Sequence, residues 1–260
     1  MRCGTGGTPP GALVDGRIAD VGGVAGSLRQ LLARVEIRET RALVAVSDAL
    51  ATFRVLRFPQ PATDDVVQSA VQRQMPGSSE RMASHWTDVH NDGAGRVVYA
   101  VAWDRDLVKR AADAARGAGL DPVSVELKSA CIARAVNEPS CVVVDMSGNP
   151  MEVVVVRDHL PELWHSFEVK TPVGEDLVDE VGGPLRQVLR YYAGRRDAAL
   201  NPSARILIAG DQVLSGRALL TLSHMLGHPV EPLPLPPRVP EDLRHGTFLT
   251  CLGLLMRREP

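Results

Sequence analysis

The chain has 260 residues, 45% of them hydrophobic and 4% aromatic, enough for a sizeable core in one large or two smaller domains. Its formal net charge of −2 excludes a global basic field that would recruit nucleic acid or an anionic membrane. No apolar run reaches the roughly 18 residues a membrane span needs, and the start MRCGTGGTPPGALVDGR lacks the apolar stretch of a secretory signal, so a cytosolic protein is expected.

Residues 1–11, rich in Gly, Thr and Pro, read as poorly ordered. Apolar residues Val21, Val24, Leu28, Leu31 and Leu32 recur at helical spacing within 18–34, with Asp20 as N-cap. RALVAVS (41–47) reads as a buried strand. TFRVLRF (52–58), ended by Pro59, reads as a second. Thr63 caps a helix over DDVVQSAVQRQM, broken at Pro76-Gly77. HWTDVH (85–90) and RVVYAVA (96–102) form a hairpin about the turn at 91–95. Asp104 caps the next helix, which Gly119 closes. A strand at 122–127 and a short helix at 129–136 follow.

The run CVVVDMSGNPMEVVVV (141–156) places two β-branched strands about a short turn, with Asp145 at its mouth. A strand at 162–169 comes next. A helical pattern at 175–193 is expected to be interrupted at Gly182-Gly183-Pro184, where proline can restart a helix. ARILIAG (204–210) is a buried strand, and 216–226 a helix ended by Gly227. Residues 229–234 begin a proline-rich crossing, and 243–257 an apolar helix.

Single residues carry little chemistry. Cys131, Cys141 and Cys251 lie in apolar runs, where cysteine behaves as a small buried hydrophobe, and with Cys3 they fit no zinc spacing. His224 and His228 stand i, i+4, but Gly227 intervenes and no third ligand is near. Arg186, Arg190, Arg195 and Arg196 beside Tyr191 and Tyr192 read as a solvated helix face with tyrosine packed beneath. No Gly-x-Ser-x-Gly nucleophile turn occurs.

The order of elements, with DGRIAD, LRQLL, AVSDALATFRVLRFP, AVQRQMP, VVYAVAWDRDLVKRAADAARGAGLDPVSVELKSACIARA, VVVDMSGNPMEVVVV, LRQVLRYY, ILIAGDQVLSG, MLGHPVEPL and CLGLLMR, resembles the PilM family of type IV pilus inner-membrane assembly proteins. PilM proteins belong to the actin-like ATPase superfamily, with FtsA a more distant relative. The resemblance implies an α/β, actin-like two-lobed fold. Residues 12–59 and 127–139 would form the first lobe, 60–126 a small inserted α+β module, and 140–260 the second lobe. It also implies ATP between the lobes, and a PilN-like inner-membrane partner whose N-terminal cytoplasmic peptide is gripped beside the module. The lining would come from the helix Asp64 to Met75 and the strand Arg54 to Phe58.

The sequence departs from the family pattern at four places. No first phosphate hairpin precedes residue 12. The second phosphate turn keeps Asp145 but has Ser147 at the glycine position and Met151 at the threonine position, with Gly148 one residue late as a possible rescue. The nucleoside turn is Gly210-Asp211, where an acid would oppose phosphate; like charges at about 4 Å cost about 1 kcal/mol in water and several in a dry cleft. Residues 170–183 are too few for the second lobe's helical subdomain. The expected cofactor residues Asp145, Ser147, Gly148, Gly210 and Asp211 are therefore read as vestigial. Asp145 is weighed as a Mg2+ anchor against a plain Asx-turn, and the turn is preferred. The expectation is a scaffold rather than an enzyme, with no metal and no cofactor unless ATP and Mg2+ persist. It would bind no nucleic acid, would not insert into the membrane, and would be peripheral to it through its partner.

Overall fold

In the computed structural model, the structure describes residues 2–75, 81–170, 176–195, 200–201, 203–210, 214–234 and 246–257. The chain divides into two compact units, Met1–Lys128 and Ser129–Pro260.

In the first unit the leading residues are held rather than loose. Arg34 donates to the Thr5 carbonyl and Arg2 to that of Glu36, while Gly4 lies so close to Val35 that a Cβ would sit 2.6 Å from its Cγ1. The expectation of a poorly ordered leader is thus not met over residues 2–11. A small hairpin, β1 (Leu13–Val14) and β2 (Arg17–Ile18), turns through Asp15 and Gly16 at φ 49° and 73°. Two left-handed residues are what a tight two-residue hairpin demands. No strand was expected here because two residues are too few to show alternation. Helix α1 (Val21–Arg34) starts at Asp20, whose carboxylate accepts from the Gly23 N–H at 3.0 Å.

Strand β3 (Arg41–Val46) runs parallel to β7 (Asp121–Leu127), and α3 (Arg105–Gly117) packs on both. Strands β4 (Ala51–Phe58), β6 (Gly95–Asp104) and β5 (Met82–Asp92) form an antiparallel sheet in that order. Helix α2 (Asp64–Gln74) covers one face: Val67, Ala70, Val71 and Met75 bury Leu56, Val98, Ala100 and Ala102. The ladders cross the borders expected at 59/60 and 126/127, since β4 pairs with β6 and β3 with β7.

Arg96 ties α2 to this sheet. Its guanidinium donates to both Asp88 oxygens (2.7 and 2.9 Å), to Asp64 Oδ1 (2.6 Å) and to the Ala62 carbonyl (2.9 Å), and lies 5.3 Å from the Trp86 ring centroid. A planar fork of donors satisfies these acceptors together, as an ammonium could not.

The second unit holds a five-stranded sheet in the order β10-β9-β8-β11-β12. β8 (Ser140–Asp145), β9 (Met151–Arg157) and β10 (Leu160–Phe167) are an antiparallel meander; β11 (Arg205–Ala209) and β12 (Val230–Pro232) run parallel to β8. Side chains alternate between two cores, as strand geometry requires. Val142, Val144, Val153, Val155, Ile206 and Ile208 face α5 (Asp176–Ala193) and α6 (Gly216–Leu226). Cys141, Val143, Val154, Val156 and Leu207 face α4 (Lys128–Val136) and α7 (Leu249–Leu255).

Helix α5 is continuous through Pro184, so the expected interruption is absent. The glycine has another use: a Cβ on Gly182 would sit 2.2 Å from Met225 Sδ and 3.3 Å from Leu222, so its absence lets α5 and α6 approach. Likewise Gly253 brings α7 onto α4, where a Cβ would lie 1.9 Å from the Cys131 carbonyl oxygen. The expected terminal helix is shorter at its start, beginning at Leu249; residues 243–245 lie outside the described residues. Part of the proline-rich crossing is strand β12, an edge strand where Pro232 is tolerated. Cys131 and Cys141 are buried, and burial pushes the Cys141 thiol up to about 12; Cys251, expected inside, is exposed. Among the described residues no helix is long and apolar enough to cross a membrane.

Asp104 supplies a pH test. Its Oδ1 caps α3 through Asp106 and Leu107, and the Arg81 guanidinium on Oδ2 (2.5 Å) holds its carboxyl below the usual range. A depressed folded value contributes stability above the unfolded value of about 3.9, and that contribution is lost as pH falls through the folded value. Asp104→Asn should therefore cost stability at neutral pH, and the gap to the parent chain should close as pH falls below the unfolded value and through the lower folded one. Urea unfolding across pH measures it; a gap independent of pH contradicts the assignment.

Candidate functional site

In α/β sheets, ligands gather beyond the carboxyl ends of parallel strands. In the second unit that place is the pair of turns after β8 and β11. Ala209 is the register partner of Asp145, and the Met146 N–H donates to the Ala209 carbonyl at 2.7 Å. Gly210 follows at φ 115°, a conformation open only to glycine. A Cβ there would lie 2.5 Å from the Met146 carbonyl carbon and 2.6 Å from the Ser147 nitrogen. Gly246, at φ 72°, closes on the same point from the third side: its Cβ would be 2.5 Å from the Gly210 nitrogen. Three backbones touch here, and no side chain fits between them. The sequence reading found Gly210 but missed Gly246, which no neighbouring motif marks.

In the β8 turn Asp145 and Ser147 bond one another. Asp145 is 4% exposed, and its Oδ1 accepts from the Ser147 N–H at 2.9 Å and the Ser147 hydroxyl at 2.5 Å. This is the Asx-turn arrangement. The amide that a phosphate turn would aim at an anion is given to a carboxylate. Asn149 is spent likewise, its Oδ1 accepting from the Val169 N–H (3.1 Å) and its Nδ2 donating to the Val169 carbonyl (3.0 Å). Gly148 does not adopt a left-handed conformation, so the rescue considered for it does not operate. Met151 is fully buried in the apolar core. Glu152, which the sequence reading passed over, is the cross-strand partner of Asp145 and also buried, so a polyphosphate would approach two carboxylates. Asp211 lies outside the described residues. Among the described residues no cluster of three or more His, Cys, Asp or Glu could hold a metal. In this turn the Ser147 amide and hydroxyl are bonded to Asp145.

The remaining candidates disperse. The His228 ring nitrogen Nδ1 lies 3.1 Å from the Ala204 carbonyl, and Gly227 ends α6 at φ 71° between the two histidines. His90 meets Asp92 at 2.8 Å, while His85 stands exposed. In the arginine group, Tyr192 is buried, donates its hydroxyl to Glu162 and is pushed up to about 12 by burial. Arg195 lies over the Tyr192 ring and Arg186 reaches Met225, but Tyr191 is exposed and Arg196 is outside the described residues.

The first unit contains a different kind of surface. The expected lining helix, α2, has its apolar face consumed by the core. The opposite face of the β4-β6-β5 sheet carries Phe53, Val55, Val97, Tyr99, Val101 and Trp103, of which all but Phe53 are only half-buried. Phe53 and Tyr99 stack at 5.9 Å. The signal was present in RVVYAVAWD: one face reads Val-Ala-Ala, the other Val-Tyr-Val-Trp.

No protein-family model matches the chain, and no curated protein matches it. Solved structures do. A chain of a PilM–PilN type IV pilus biogenesis complex superposes with a TM-score of 0.68 at 20% identity, covering 95% of this chain and 88% of that one. The fold is PilM-like and actin-like. The ethanolamine utilization protein EutJ from Carboxydothermus hydrogenoformans aligns with a TM-score of 0.51 at 13% identity, covering 94% of this chain and 77% of that one. The cytoplasmic domain of EpsL, an inner membrane component of the type II secretion system of Vibrio cholerae, gives 0.50 at 11% identity, with 90% and 82% covered. Within this PilM-like fold, β10 ends at Phe167 and α5 begins at Asp176, which leaves residues 168–175 to join them.

Gly210→Ala should cost at least about 2 kcal/mol, combining a forbidden φ with a backbone clash, whereas Ser147→Ala should cost about 1 kcal/mol for one hydrogen bond. Equilibrium urea unfolding measures both. A Gly210→Ala chain as stable as the parent contradicts the three-backbone contact.

Proposed function

We propose that this protein is a non-catalytic, actin-like scaffold of a type IV pilus, competence or related secretion assembly. It binds a short cytoplasmic peptide at the N-terminus of a PilN-like inner-membrane protein, and is peripheral to the membrane through that partner. The observation that carries this reading is the half-buried Val55-Val97-Tyr99-Val101-Trp103 face in the first unit. Aromatic and aliphatic side chains on a rigid sheet suit an apolar peptide that orders on binding. The likeness to a chain of the PilM–PilN complex supports the partner class. The non-catalytic part is supported by the Asp145 and Asn149 bonds, which engage the Ser147 amide and the Asn149 side chain within the protein.

A second reading is an ATP-binding ATPase of the same assembly. It is favoured by the position of Asp145 and Gly210 at adjacent carboxyl ends of parallel strands. The inward bonding of the turn weighs against it.

The test is binding of the full chain to the synthetic N-terminal cytoplasmic segment of the membrane protein encoded beside it. Retention at micromolar concentration is expected. Val55→Asp, in a chain whose unfolding curve shows it folded, should weaken it about tenfold or more, through a charge placed in an apolar contact. No retention, or a Val55→Asp chain that binds unchanged, contradicts the proposal.

A further inference from the structure

Helices α5 and α6 form one layer on the second unit's sheet. Leu185, Val188 and Tyr192 of α5 and Leu222 of α6 point into the same core, and Gly182 lets the two helices meet at Leu222 and Met225. Their other sides therefore make one outward surface. On it Arg186, Arg190 and Tyr191 stand exposed on α5, and Arg217, Leu220 and His224 on α6.

The charge of this surface has one sign. Residues 181–195 and 214–228 contain Arg186, Arg190, Arg195, Arg217, His224 and His228 but no Asp or Glu, in a chain whose formal net charge is −2. A near-neutral total hides such a local field. Arg186 donates to the Met225 carbonyl at 3.5 Å, a neutral acceptor that leaves its charge uncompensated. Among the described residues no carboxylate pairs with Arg186, Arg190 or Arg217. The outer side of α3 shows the contrasting treatment, where Asp113 bridges Lys109 at 2.6 Å and Arg116 at 3.0 Å.

A merely solvated helix face would not carry large apolar side chains among its charges, and this one does. Tyr191 is 66% exposed and Leu220 65%. Guanidinium forks match phosphate oxygens. Tyrosine settles at the level of lipid headgroups, and leucine gains by entering the acyl boundary. A nucleic acid would neutralise the arginines but leave Leu220 in water. An anionic lipid surface satisfies both kinds of side chain at once. We propose that the outward side of α5 and α6 docks directly on the headgroups of anionic lipids. This contact is independent of the partner peptide, whose proposed face lies in the first unit.

Sedimentation of the full chain with phosphatidylglycerol–phosphatidylcholine vesicles tests it. Binding is expected at low salt, should fall about tenfold or more at about 0.5 M salt, and should be absent with phosphatidylcholine alone. Arg190→Glu combined with Arg217→Glu should weaken it about tenfold or more, and Leu220→Ser several-fold at unchanged charge. Urea unfolding checks that each chain is folded; should the double variant not fold, Arg190→Gln carries the charge test with a several-fold loss. Val55→Asp should bind vesicles as the parent does. Three results overturn the proposal: no binding to phosphatidylglycerol vesicles at low salt; a folded charge variant that binds as the parent does; and Leu220→Ser without effect, or duplex DNA bound as tightly as the vesicles, either of which makes the surface a general polyanion site.

Discussion

The contact of the Gly210 backbone with the Met146–Ser147 peptide is the constraint on which the second unit rests. It joins the carboxyl ends of β8 and β11, and Gly246 seals it from the loop leading to α7. Two glycines with positive φ make it possible, since any Cβ would collide with main chain. The Asx-turn at Asp145 and the amide pairing of Asn149 with Val169 follow from the same closure. Within the turn, Asp145 accepts from the Ser147 N–H and hydroxyl, and the Asn149 amide pairs with the Val169 backbone. Valines on both faces of β8 and β9 then bury apolar area between two helical layers, at roughly 25 cal/mol per Å2, whatever the turn binds.

The first unit has the opposite character. Its three-stranded sheet is covered on one face by α2, held by the Arg96 guanidinium across Asp64, Asp88 and Ala62, and is half-open on the other. Its parallel pair β3–β7 is covered by α3. Buried apolar strands with self-satisfied turns make a framework. The half-buried aromatic and aliphatic strand face is the surface proposed for the partner peptide.

Much of the fold was legible because its signals are local. Asp20, Asp104 and Gly227 cap helices where the sequence places them, and the alternation in RVVYAVAWD is a strand with one buried face. What was not legible depends on partners distant in sequence. Gly182-Gly183-Pro184 looks like a break in isolation, yet Gly182 is a point of helix–helix approach to Met225. Gly246 has meaning only once Gly210 stands beside it. Glu152 reads as one polar residue in a valine run until register sets it opposite Asp145. The groove was placed by position, from the family resemblance, along the helix at 64–75 and the strand at 54–58; the apolar face of that helix is the one that packs on the sheet. In the site, residue types pointed to Asp145, Ser147 and Gly210, while the direction of the Ser147 N–H, which decides their chemistry, is a property of three dimensions alone.

Calorimetric titration of ATP with Mg2+ into the full chain tests the closed-turn account most directly. With the Ser147 amide given to Asp145 and Gly210 against Met146, no binding tighter than about 1 mM is expected, and Asp145→Asn should change nothing in the titration. Micromolar binding that Asp145→Asn abolishes would contradict it.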